Sequence, residues 1–158
     1  MNTLEEQVVA CLKEKKLSLA TAESCTGGLI ASKLVNVAGI SEVFWGGFVT
    51  YANEAKVKLL GVSEELLREK GAVCAEVAAS MAKGAAETAG AMVSVASTGI
   101  AGPDGGTSEK PVGLVYLGCF CCGKIKVIRC QFQGGRQQVR EAAANQALEL
   151  VLECIKVL

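Results

Sequence analysis

The sequence predicts an α/β domain, with a mixed, mostly parallel five-stranded sheet between two helical layers and one strand running against the rest. Three observations predict it. Apolar runs of strand length alternate with segments of helical periodicity up to residue 97, the pattern of parallel strands joined by helical crossovers. Two later apolar runs, 112–121 and 124–132, are separated only by Cys122-Gly123, which makes them a hairpin. Finally, 158 residues, 51% of them apolar, form one packed unit spanning 1–158, with no repeat, linker or low-complexity tract to divide it.

Leu4, Val8, Cys11 and Leu12 recur at helical spacing, so the chain opens with an amphipathic helix over about 3–15. Residues 17–21 read as a short strand, followed by Glu23-Ser24-Cys25-Thr26-Gly27-Gly28 and a helix over about 27–37. Phe44 to Tyr51 is the second strand, and Asn53 is placed to cap a helix over about 54–60. Ser63-x-x-Leu66 opens a short helix ending near Gly71, and an alanine-rich helix covers about 75–89. The apolar stretch 91–97 is the third strand. It runs into the glycine-dense loop 98–107, and the hairpin follows. The last helix spans about 136–156, with Val139, Ala143, Ala147, Leu150 and Cys154 on its buried face and Arg140, Glu141, Glu149 and Glu153 elsewhere on its circumference.

Helical crossovers make the first three strands parallel, so their carboxyl ends share one edge. The fourth strand starts from that edge and runs the other way; the fifth returns to it. Four segments therefore converge, 21–28, 51–56, 98–107 and 134–136. Open α/β sheets bind ligands at the carboxyl ends of their strands.

Composition removes several function classes. Sixteen basic and sixteen acidic side chains balance, which argues against a nucleic-acid or membrane surface built on bulk charge. No apolar run is long enough to span a bilayer, and the polar, acidic start is unlike a signal peptide, so a cytoplasmic protein is expected. The eight cysteines contain no C-x-x-C pair, and with no histidine in the chain they read as small core hydrophobes rather than metal ligands. The missing histidine also excludes Ser-His-Asp, Cys-His and two-histidine zinc machinery. Any general base must be a lysine, a tyrosine, a carboxylate or water.

Three segments carry chemistry. In 23–28, backbone N–H groups at a helix start can stabilise an oxyanion, and Ser24 can act as a nucleophile if its proton has an acceptor. Ser24 or Thr26 could equally be a simple helix cap, and Cys25 is a rival nucleophile because a helix N-terminus lowers a thiol pKa. In 51–56, Lys56 falls in the first turn of a helix, near the positive end of its dipole. Desolvation there would push it towards neutrality, and a shift from about 10.4 to about 7 corresponds to roughly 4–5 kcal/mol. Lys58 is the solvent-facing alternative. In 98–107, consecutive glycines let N–H groups form an anion-binding nest, although a plain connecting turn has the same composition and the P-loop pattern is missing. Arg136, beside Gly134-Gly135, is placed to clamp a phosphate or simply to lie exposed at a helix start.

Together, Thr21-Ala22-Glu23-Ser24-Cys25-Thr26-Gly27-Gly28, the stretch Gly47 to Lys56, the stretch Thr98 to Thr107 and Lys110-Pro111-Val112-Gly113 resemble, in order and spacing, the CinA C-terminal domain family. The family includes stand-alone nicotinamide-nucleotide amidases, and the resemblance covers nearly the whole chain. It implies a three-layer α/β/α fold and hydrolysis of nicotinamide mononucleotide to nicotinate mononucleotide and ammonia, without metal or cofactor. By the same resemblance Ser24 is the nucleophile, with Lys56 and Tyr51 as its proton-accepting partners. Glu23, Cys25, Thr26, Gly27, Thr98, Gly99, Gly102, Gly105, Gly106, Thr107 and Arg136 are implied to bind the pyridine nucleotide, and a homodimer is implied. The family often has Gly-Asp-Arg before the last helix where this chain has Gly134-Gly135-Arg136, which removes a helix cap. The alternative function is a nucleotide-binding or regulatory module without turnover.

Overall fold

The computed structural model describes residues 2–158. Its elements are α1 (Leu4–Lys15), β1 (Leu19–Glu23), α2 (Leu29–Val35), a short 3-10 turn at Ile40–Glu42, β2 (Phe44–Val49), α3 (Asn53–Leu60), α4 (Glu64–Lys70), α5 (Ala75–Ala89), β3 (Val93–Gly99), β4 (Leu114–Cys121), β5 (Lys124–Gln131) and α6 (Arg136–Lys156). The sheet order is β2-β1-β3-β4-β5. β1 pairs parallel with β2 and β3, while β4 pairs antiparallel with β3 and with β5. The α/β fold with a single reversed strand is the one that the crossover and hairpin arguments predict.

Helices cover both faces. On one, α1, α2 and α6 bury a cluster that includes Val8, Leu12, Leu19, Ile30, Leu34, Val95, Leu117 and Leu148. On the other, α5 packs on the sheet with α3 and α4 behind it, around Ala22, Leu60, Val77, Met81 and Ala96. Contact between α3 and α5 is close enough to demand glycine at position 84, where a Cβ would lie 1.9 Å from the Leu60 carbonyl oxygen.

Two boundaries differ from expectation in ways that matter for the site. β1 begins at Leu19, not residue 17, because α1 ends with Lys16 in the left-handed region and the Leu17 N–H folded back on the Leu12 carbonyl at 2.9 Å. Glu23 is therefore the last strand residue. α2 begins at Leu29, not residue 27, since Ser24 to Gly28 form a turn of their own in which Gly27 and Gly28 have φ of 58° and 103°. Asn53 is the first residue of α3 and not its cap; Ala52 holds that position without a side-chain bond.

Candidate active site

In the parallel register Glu23 lies opposite Val49 on one side and Ser97 on the other, so Ser24 and Thr50 leave the sheet together beside Thr98, which continues β3 against Tyr116. Ser24 is tied to this edge by its N–H, which donates to the Ser97 carbonyl at 3.1 Å. Chain direction and ladder register, not local propensity, thus fix the position of the hydroxyl.

Lys56 reaches the same point from α3. Its side chain is 1% exposed. Nζ lies 3.0 Å from Ser24 Oγ and donates to the backbone carbonyls of Thr50 at 2.8 Å and Tyr51 at 2.9 Å. No carboxylate within salt-bridge distance meets this amine among the described residues. Burial holds its pKa below the usual lysine value, against a smaller opposing influence from Cys25. Lys58 is exposed.

The turn that carries Ser24 is braced from both ends. Glu23, 1% exposed, accepts hydrogen bonds from Thr26 Oγ1 at 2.7 Å and from the N–H groups of Ile30 and Ala31 at 2.8 and 3.1 Å. Those first-turn N–H groups of α2 are therefore occupied by a carboxylate, the favoured partner at a helix N-terminus. The N–H groups of Cys25 and Thr26, inside the turn, have no backbone acceptor among the described residues. From α6, Arg140 donates through Nε to the Cys25 carbonyl at 3.0 Å and through Nη2 to the Thr26 carbonyl at 2.8 Å. Thr26 Oγ1 also meets Ser97 Oγ at 2.7 Å.

Cys25 departs from the expected direction. It is 6% exposed, and its thiol pKa is pushed up to about 11, chiefly by burial, although a hydrogen bond with Ser97 and the charge of Arg140 pull the other way. Desolvation outweighs any help from the helix end.

Tyr51 divides its two ends. Its carbonyl holds Lys56, while its side chain is 62% exposed and its hydroxyl accepts from Arg136 Nη2 at 3.2 Å. No hydrogen bond joins the phenol to Ser24 or to Lys56 Nζ among the described residues. Arg136 also donates through Nη1 to the Gly102 carbonyl at 2.8 Å, so one guanidinium ties together the β2–α3 junction, the glycine loop and the start of α6. The Gly135 N–H donates to Gln138 Oε1 at 2.7 Å, and no side chain caps the first turn of α6.

The glycine loop has a buried base and an exposed tip. Thr98 is 1% exposed and donates to the Ala72 carbonyl at 2.7 Å, while Gly99 ends β3 opposite Val115. Gly102 lies under Arg136. Gly105, Gly106 and Thr107 stand in the exposed tip, where Thr107 closes a small turn onto Lys110 at 2.8 Å. Among the described residues, no group of three or more histidine, cysteine or carboxylate side chains is arranged to hold a metal ion, and no helix is long and apolar enough to cross a membrane.

Ser24, Cys25, Thr26 and Lys56 are thus in direct contact or adjacent, and Tyr51, Gly102 and Arg136 form a second group bound to them through the backbone of Tyr51. Arg140 is the residue that sequence reading misses; its one sequence signal is a second arginine one helical turn beyond Arg136.

The chain is similar to known proteins along nearly its whole length. A CinA-like protein of Kosmotoga olearia is 55% identical over 149 residues, which cover 94% of this chain and 36% of the relative. The chain thus spans about a third of the length of the curated relatives it matches. The crystal structure of the competence/damage inducible protein CihA from Agrobacterium tumefaciens superposes with a TM-score of 0.92 at 42% identity, covering 98% of this chain and 99% of that one. A competence damage-inducible protein A from Klebsiella pneumoniae gives a TM-score of 0.94 at 33% identity, over 97% and 95% of the two chains. The family model described as the CinA C-terminal domain matches residues 1–155. With motifs, fold and relatives in agreement along almost its whole length, the chain belongs to the CinA C-terminal domain family.

Proposed function

We propose that this chain is an amidohydrolase that converts nicotinamide mononucleotide to nicotinate mononucleotide and ammonia, with Ser24 as nucleophile. The observation that carries the reading is the buried Lys56 amine, 3.0 Å from Ser24 Oγ and with its pKa lowered by burial. An uncharged amine has two hydrogens and one lone pair. The hydrogens suit the carbonyls of Thr50 and Tyr51, which leaves the lone pair for the Ser24 proton.

Each step then has a group to serve it. Ser24 Oγ attacks the carboxamide carbon as its proton passes to Lys56 Nζ. The N–H groups of Cys25 and Thr26 face the developing oxyanion, and Arg140 supports them by holding the carbonyls of the same turn. The ammonium of Lys56 returns its proton to the leaving amine, and water, activated by the same amine, releases the acid. Tyr51 acts at the rim, where its phenol pairs with Arg136, and both meet the substrate there. The guanidinium of Arg136 and the N–H groups at Gly105 and Gly106 in the exposed loop tip supply the phosphate contacts, with the Thr107 N–H already held by the Lys110 carbonyl.

Ammonia release from nicotinamide mononucleotide, compared with its dephosphorylated nucleoside, tests chemistry and anion pocket together. Turnover is expected with the nucleotide and much less with the nucleoside. Tight nucleotide binding in calorimetry, with ammonia release at background, would select the non-catalytic reading instead.

A further inference from the structure

Ser97 is a wholly buried residue near the end of β3 that takes no part in the proton transfers at Ser24. It stands opposite Glu23 in the β1–β3 register. Strand alternation puts its side chain with Val93 and Val95, on the face that α1, α2 and α6 cover. Lys56 meets Ser24 from α3, on the other face. The turn that carries the nucleophile is thus held from both faces of the sheet.

Ser97 grips that turn twice. Its carbonyl accepts from the Ser24 N–H at 3.1 Å, and its hydroxyl lies 2.7 Å from Thr26 Oγ1. The peptide units that carry the Cys25 and Thr26 N–H groups lie between these two grips. The rest of the turn's backbone is occupied. The Gly27 N–H takes the Ser24 carbonyl at 3.0 Å, while Arg140 takes the carbonyls of Cys25 and Thr26. Among the described residues, the two backbone groups from Ser24 to Thr26 without a partner are the N–H groups of Cys25 and Thr26.

The supply of hydrogens fixes the direction of the side-chain bonds. Thr26 has one hydroxyl hydrogen, which goes to Glu23 Oε1 at 2.7 Å, because a carboxylate has none to give. Towards Ser97, Thr26 Oγ1 can therefore only accept, and Ser97 donates. Glu23 ends the run by accepting the Ile30 and Ala31 N–H groups at 2.8 and 3.1 Å. The bonds run one way, from Ser97 through Thr26 to a carboxylate on the first turn of α2, and bonds aligned head to tail strengthen one another. Thr26 and Ser97 are 0% exposed and Glu23 1%, so solvent does not compete for any of them.

We infer that Ser97 is a positioning residue for the oxyanion step: its hydroxyl, acting through Thr26, holds the Cys25 and Thr26 N–H groups at the angle that receives the oxyanion. This role rests on the proposed amide hydrolysis at Ser24. It also assigns Thr26 two separate tasks, an N–H that meets the substrate and a hydroxyl that serves the turn. Donors aimed at a developing charge work only when held in place, and a displacement of about 1 Å can cost about a hundredfold in rate. Removing the Ser97 hydroxyl leaves its carbonyl on the Ser24 N–H, so the nucleophile keeps its tie to β3 while the Thr26 end of the turn is released.

The test measures steady-state ammonia release from nicotinamide mononucleotide by the full chain and its variants. Ser97→Ala should lower kcat by about 10–100-fold and leave KM within about twofold. Thr26→Val, which removes the other hydroxyl, should show the same split, and Thr26→Ser, which returns it, should recover most of the loss. Because both deletions break one bond, the double variant Ser97→Ala/Thr26→Val should fall little below the slower single variant. A wild-type kcat in Ser97→Ala, a loss carried by KM, a Thr26→Ser protein as slow as Thr26→Val, or additive losses in the double variant would each overturn the role. The amide resonance of Cys25, recorded by NMR without substrate, reads the turn apart from the reaction. It should shift in Ser97→Ala, and an unshifted resonance overturns the role whether or not the wild type releases ammonia. Wild-type release from Ser24→Ala would instead defeat the reaction at Ser24.

Discussion

Lys56 is a wholly buried amine with two carbonyls and one hydroxyl around it and, among the described residues, no carboxylate within salt-bridge distance. Four predictions belong to this residue scale. Lys56→Gln keeps a donor of similar size but cannot take a proton, and ammonia release should fall by about 10²–10⁴-fold, the ordinary contribution of a general base. The pH profile carries a sign as well. The active form is the neutral amine, so the rate rises as pH increases through the Lys56 pKa, and burial places that limb below 10.5. Stability follows the same direction: between the folded pKa and 10.5 the unfolded chain binds more protons, so unfolding free energy gains with rising pH. Comparison with Lys56→Gln by denaturant titration across that window should show the gain in the wild type alone. Cys25 gives the opposite prediction. With a pKa near 11, only about one thiol in ten thousand is ionised at neutral pH, and Cys25→Ser should retain most of the ammonia release.

At the scale of elements, the turn between β1 and α2 is set by groups outside itself. Glu23→Gln weakens charge-assisted bonds to two helix N–H groups and should lower unfolding free energy by about 1–3 kcal/mol in denaturant titration. Arg140→Lys leaves a point charge where a fork spans two carbonyls. Its expected signature is a fall in kcat larger than any rise in KM, because it acts by positioning. A helical wheel ranks α6 by apolarity and puts Arg140 off the buried face, since periodicity carries no signal for a guanidinium that reaches backbone carbonyls of another element. A position at a helix start predicts a lowered thiol pKa for Cys25, but the turn is buried and burial governs. Ser24 and Lys56 were legible as neighbours because topology alone brings their segments to one edge.

Across the whole molecule, alternation of strand and helix patterns yields the sheet, and the hairpin yields its reversed strand, because these depend on chain direction and connection length rather than on side-chain detail. Strand ends were less legible: Leu17 is apolar enough to read as strand, yet it completes the cap of α1. The three-way tie made by Arg136 joins segments distant in the chain, and only the fold reveals that its partners are Gly102 and Tyr51. Arg136→Lys should therefore raise KM for the nucleotide and leave residual turnover of the nucleoside nearly unchanged, which steady-state ammonia assays on both substrates would measure.

In the proposed reaction the Ser24 oxygen forms a covalent bond to the substrate acyl group. Rapid quenching of the protein with nicotinamide mononucleotide, followed by peptide fragmentation in the mass spectrometer, addresses it directly. An acyl ester on residue 24 is expected, lost in Ser24→Ala together with ammonia release. An adduct on Cys25, or wild-type ammonia release from a folded Ser24→Ala protein, would contradict it.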